Sequence, residues 1–112
     1  MISVFISQAM TGLREEEILK RRSEAEEYVK SRFPKEKIQF VSSYFDPILT
    51  QLPYEVKTRD VYFLAKAIEK LSHVDYVYFV PSQELVNSKG CSIEFTICKL
   101  YDIKILNLID KE

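Results

Sequence analysis

The sequence predicts one α/β domain, a parallel sheet with amphipathic helices on both faces. Three observations carry this prediction. Short runs rich in Val, Ile, Phe and Tyr recur along the chain and are apolar at nearly every position, as in strands covered on both faces. Longer charged segments lie between them, and their apolar residues return at helical spacing. Runs and charged segments alternate, the pattern of parallel strands joined by right-handed crossovers, with helices above and below the sheet.

Each element follows in order. Residues 2–6 (ISVFI) are the first strand. Residues 13–33 form a long helix in which Ile18, Ala25, Val29 and Phe33 make one apolar stripe. Glu15, Glu16 and Glu17 sit where the positive end of a helix favours acids, and Pro34 ends it. Residues 37–41 (KIQFV) are the second strand, and residues 42–59, with Pro47 and Pro53, are a long loop of a length that often carries function. Residues 60–71 give a second helix with Val61, Leu64, Ala65, Ile68 and Leu71 on one face. Residues 74–80 (VDYVYFV) are the third strand, 81–89 a polar connection, 91–101 the third helix and 103–108 (IKILNL) the fourth strand. Four strands are expected, with a fifth left open. No repeat, low-complexity tract or linker divides the chain, so residues 1–112 read as a single domain.

Composition narrows the function. A chain of 112 residues, 46% of them hydrophobic, supports one core and buries roughly 60–70% of its unfolded surface. Lys plus Arg number 16 against 17 Asp plus Glu, interspersed, so no basic face points to a nucleic acid or an anionic membrane. A small ligand fits this balance better. Cys91 and Cys98 are seven apart on one predicted helix, about 10 Å by helical rise and too far for a disulfide. A reducing, cytoplasmic setting is the expectation. No apolar run approaches the roughly 20 residues that span a bilayer, and no signal-peptide pattern opens the chain.

Parallel sheets bind ligands beyond the carboxyl ends of their strands. That edge should gather Ser7, Gln8 and Met10 from the first strand, Ser43, Tyr44 and Asp46 from the second, Pro81 to Gln83 from the third, and Gly90 and Glu94 from the third helix. Within GCSIEF (90–95), Glu94 has two readings. It is the distal acid of a capping box opened by Cys91, or a catalytic carboxylate. Cys caps poorly, which favours catalysis. Gly90 would then allow a positive φ at the loop-to-helix turn. Cys91 sits beside a carboxylate and lacks a partnered His, so it is rejected as a nucleophile. His73, the only histidine, falls away from this edge, and no His/Cys cluster has metal-ligand spacing. Asp75, at the base of the third strand, reads as structural. Tyr44 and Phe45 would either stack on a base or cover the core.

FISQAMTGL, SSYFD, VDYVYFVPS and KGCSIEFTICKLYDIKIL, taken in order, resemble the small nucleoside 2-deoxyribosyltransferase-like proteins over nearly the whole chain. The most telling part is Gly, then Thr or Cys, two residues, Glu, and a helix leading into a strand. Here it falls on Gly90, Cys91, Glu94 and the strand from Ile103. The resemblance implies a flavodoxin-like three-layer fold, Glu94 as the nucleophile on a 2'-deoxyribosyl N-glycosidic bond, and a homodimer or larger homo-oligomer. On the sheet-edge reading, substrate should then meet Ser7, Gln8, Met10, Gly12, Ser43, Tyr44, Pro81, Gly90 and Cys91, with Asp46 the candidate for meeting the base. The ligand would be a nucleoside or nucleoside monophosphate. No cofactor and no metal are expected.

One departure stands out. The characterised enzymes often carry an Asp eight residues before the acid of the third strand, and counting back from Asp75 reaches Ala67. Asp60 and Glu69 lie in the same helix, off the matching position. A binding or sensing module without turnover, and an N-glycosidase of a larger nucleotide such as NAD, are the alternatives. No G-x-G-x-x-G loop is present, and Glu15 to Glu17 make the first helix terminus unwelcoming to a diphosphate, though Arg14, Arg59 or Lys89 could hold one phosphate.

Overall fold

Strand β1 (Ile2–Ser7) lies between β2 (Ile38–Ser42) and β3 (Tyr76–Phe79), and β4 (Lys104–Ile105) pairs outside β3. All pairings are parallel, in the order β2-β1-β3-β4. This computed structural model describes residues 1–42, 52–53 and 55–109. Helix α1 (Glu15–Arg32) joins β1 to β2, α2 (Arg59–Leu71) precedes β3, and α3 (Lys89–Leu100) joins β3 to β4. The result is the four-stranded parallel α/β arrangement the alternation predicts, compatible with a flavodoxin-like three-layer fold.

The two-residue period of the strands divides the core. Val4 and Ile6 of β1 and Tyr78 of β3 pack with Ala25 and Val29 of α1. Phe5, Val77 and Phe79 turn the other way, onto Ala67 and Leu71 of α2 and Cys91 and Cys98 of α3. Both faces are therefore covered, and each large apolar side chain so buried contributes on the order of 1.5–3 kcal/mol. Ser7 continues the Phe5 side, toward α2 and α3. Register places it opposite Phe79 at the carboxyl edge of the sheet.

Several elements depart from the expectation. β4 covers two residues because Leu106–Leu108 turns into a 3-10 helix. Asn107 then replaces the ladder with its side chain: Oδ1 accepts from the Phe79 N–H at 2.9 Å, and Nδ2 donates to the Phe79 carbonyl at 2.8 Å. On α2, Val61 is 60% exposed and Ala65 is also exposed, whereas Ala67 and Leu71 are buried. The inward face is rotated from the predicted stripe. Helix α3 starts at Lys89, two residues early, because the Ser88 hydroxyl accepts the Cys91 N–H at 3.2 Å and caps the first turn. The left-handed glycine is Gly12, at φ +81 in a turn closed by Leu13 N–H to the Met10 carbonyl, whereas Gly90 lies inside α3. Asp75 is structural as expected, its Oδ2 accepting from Ser3 N–H at 2.8 Å and from Ser3 Oγ at 3.2 Å.

Candidate active site

Cys91, Glu94 and Cys98 recur at i, i+3 and i+7, so all three face the sheet, and all are buried. Glu94 thereby carries a carboxyl group into a position where a helix ordinarily places an apolar side chain. It is 3% exposed. Directly beneath, Ser7 projects from the end of β1, and its Oγ lies 2.8 Å from Glu94 Oε1 and 3.3 Å from Cys91 Sγ. A hydroxyl has one proton to give. With Glu94 ionised that proton goes to the closer, charged oxygen, and the Cys91 thiol donates to the Ser7 oxygen in turn.

The capping reading of Glu94 fails on this geometry. Ser88 caps α3, and the Glu94 carboxyl is held by a strand residue 87 positions away instead of by its own helix terminus. Its second oxygen, Oε2, is buried without a hydrogen-bond partner among the described residues. Burial pushes the carboxyl from 4.5 up to about 7, and the Ser7 hydroxyl offsets part of the rise. Burial also pushes the Cys91 thiol up, and the Glu94 charge adds to the rise.

Glu94 lines a cavity of about 530 Å³. Gln8, Met10 and Thr11 form one wall beyond β1; Ser88, Gly90 and Cys91 form another; Arg59, Asp60, Phe63, Leu64 and Ala67 of α2 face them. Gln8 is buried, donating from Nε2 to the Ile18 carbonyl at 3.0 Å, while its Oε1 has no partner among the described residues. At the mouth Arg59 and Asp60 are exposed, and the Arg59 guanidinium stands 5.4 Å from the Phe63 ring centroid.

Of the residues expected to meet substrate, Gln8, Met10, Gly90, Cys91 and Glu94 share this cavity, and Ser7 supports it from behind. Pro81 does not. It lines a separate cavity with Arg21, Tyr28 and Tyr78, because the chain leaves β3 through Val80, which packs on the α1 side. Gly12 shapes the turn after Met10 without lining the cavity. Ser43, Tyr44 and Asp46 lie outside the described residues. Thr11, Phe63 and Leu64 were not anticipated. The signal for Phe63 and Leu64 is their position one turn beyond Arg59 and Asp60, on a helix that has to close over the Ser7 face.

No group of three or more His, Cys, Asp or Glu side chains that could hold a metal ion occurs among the described residues, and no helix there is long and apolar enough to cross a membrane. Comparison with known proteins gives no match to a family model, a curated protein or a solved structure.

Proposed function

We propose that this protein cleaves or transfers at the N-glycosidic bond of a 2'-deoxynucleoside or its monophosphate, with Glu94 as nucleophile. The observation that carries this reading is one buried carboxylate with Oε1 anchored by Ser7 and Oε2 without a partner among the described residues, on the wall of a cavity at the carboxyl edge of a parallel sheet. The resemblance through Gly90, Cys91 and Glu94 points to the same residue.

The chemistry follows from where charge develops. As the C1'–N bond lengthens, positive charge builds on the sugar, and an ionised carboxylate in a poorly solvated site stabilises it strongly. Oε2 then bonds to C1', and the base departs with the electron pair and takes up a proton. A second base attacking C1' gives transfer, and water gives hydrolysis. A deoxyribose ionises more readily because it lacks the electron-withdrawing 2'-hydroxyl. Asp46 remains the proposed partner of the base, and Asp60 stands at the cavity mouth. Arg59 offers a cation to a monophosphate.

Ala67 favours a second reading. It lines the same cavity as Glu94 at the position where the characterised enzymes often place an Asp, and a pocket lacking that acid could bind a nucleotide without turning it over. A homodimer or larger assembly belongs to the same proposal, covering the apolar side chains left exposed on α3, Ile93 and Phe95 among them. Sedimentation at about tens of micromolar reads it.

Incubation with the four 2'-deoxynucleosides and their monophosphates, with and without a second free base, tests the activity. Release of free base, or exchange of one base for another, is expected for at least one substrate. Binding without release would favour the sensing module.

A further inference from the structure

Gln8 follows β1 and is 3% exposed, an unusual depth for a primary amide. Its orientation is fixed by chemistry. The amide carries two N–H donors and one carbonyl acceptor, and the Ile18 carbonyl 3.0 Å away can only accept. Nitrogen must therefore face Ile18, which leaves Oε1 as the acceptor of a side chain that lines the cavity. That oxygen is buried without a protein partner among the described residues. Glu94 Oε2, on the same cavity, is in the same condition. Buried polar atoms in native folds are nearly always paired, so two unpaired acceptors on one cavity point to a ligand that supplies the complement.

The cavity is also graded. Its buried polar side chains, Gln8 and Glu94, leave acceptors free, whereas the cation, Arg59, is exposed at the mouth. An anionic group at the inner end would meet a fixed carbonyl dipole and a carboxylate. A neutral sugar meets both with favourable partners, a hydroxyl proton at Gln8 and the electron-poor anomeric carbon at Glu94.

We infer that Gln8 is a specificity-determining residue whose Oε1 accepts a hydrogen bond from a free 3'- or 5'-hydroxyl of the bound sugar. The inference rests on the deoxynucleoside reading of this site. It adds that whichever hydroxyl Gln8 meets must be unphosphorylated, since a phosphate there has no proton to donate and carries charge toward an acceptor.

The test is a binding series that does not depend on turnover. Calorimetry measures Kd of the wild type and of Gln8→Met for the tightest-binding 2'-deoxynucleoside, and for its analogues with the 3'- or the 5'-hydroxyl replaced by hydrogen. The wild type should bind one of the two analogues about tenfold or more weakly than the parent, because the analogue leaves a buried acceptor unpaired. Gln8→Met should lose a similar factor on the parent and discriminate less than about twofold between parent and analogue, a non-additivity that only direct contact produces. If Gln8→Met keeps the full wild-type discrimination at both hydroxyls, Gln8 merely pins α1 and the inference falls. Should that variant fail to fold, a wild type indifferent to both hydroxyls overturns the inference on its own. Base release without hydroxyl discrimination would leave the N-glycosidic reading intact and remove this one. Discrimination that disappears in Gln8→Met, without base release, would do the reverse. No binding of any deoxynucleoside would overturn both.

Discussion

The two faces of the sheet are built for different ends. Toward α1, the buried set is Val4, Ile6, Ala25, Val29, Tyr78, Val80 and Leu106, apolar but for one phenol. Tyr28 stacks on Tyr78 with ring centroids 5.2 Å apart. Toward α2 and α3 the same alternation that buries Phe5 also buries Ser7, and the helix stripe that packs Cys91 and Cys98 includes Glu94. The buried core of the α1 face is apolar packing. The other face holds a carboxyl that burial drives up to about 7, next to an open cavity. A packed apolar residue in place of Glu94 would serve the fold better, and groups that cost stability at a cavity wall are candidates for function.

Breaking the α1 face should give the largest change in stability. Ile6→Ala removes a fully buried side chain and should cost about 2–5 kcal/mol in urea unfolding. The loss should be the same at pH 5 and pH 8, because Ile6 carries no charge and packs in an apolar cluster. A pH-dependent loss would mean that the two faces are coupled.

The opposite face should respond to pH. Below 4.5, Glu94 is protonated in both folded and unfolded chains; between 4.5 and about 7 the unfolded chain gives up its proton while the folded chain keeps it. Stability therefore falls as pH rises through that window and stays lowered above it, by up to about 3 kcal/mol. Glu94→Gln should flatten this part of the curve and gain most, relative to wild type, at pH 8. An unchanged slope between pH 5 and 7 would show that Glu94 is not the group responsible.

Ser7→Ala sharpens the comparison at smaller scale. It removes the one hydrogen bond that lowers the Glu94 value, so the acid limb of the activity profile should move to higher pH, and stability should drop by about 1–3 kcal/mol. An acid limb that stays in place would detach Ser7 from Glu94. The smallest effect belongs to the turn: Gly12→Ala, at φ +81, should cost about 1 kcal/mol, with little change in pH dependence. A shift in the pH profile there would tie the turn to the site.

Much of this contrast was legible in the sequence. ISVFI and VDYVYFV announce buried strands through β-branched and aromatic density, and Glu94 stands out as an acid inside an apolar helical stripe. Other features depend on contacts between distant residues. Asn107 ends β4 by bonding to Phe79, which no local pattern reveals. Ser88 moves the start of α3 and takes the cap from Cys91. Pro81 lies on the wrong side of a strand for the cavity, a consequence of register, and spacing alone fixes register only to within a face. The inward face of α2 turns on which of its residues meet the cavity, and the stripe of Val61 and Ala65 pointed elsewhere.

The most direct test is turnover of a 2'-deoxynucleoside by wild type and Glu94→Gln at pH 8, with folding checked by thermal unfolding of both. Gln keeps the shape of the side chain and its bond to Ser7 but removes the charge that meets the sugar. In Glu94→Gln, kcat should fall about a thousandfold or more, in a protein at least as stable as wild type. Wild-type turnover in a folded Glu94→Gln would contradict the assignment of Glu94 as nucleophile.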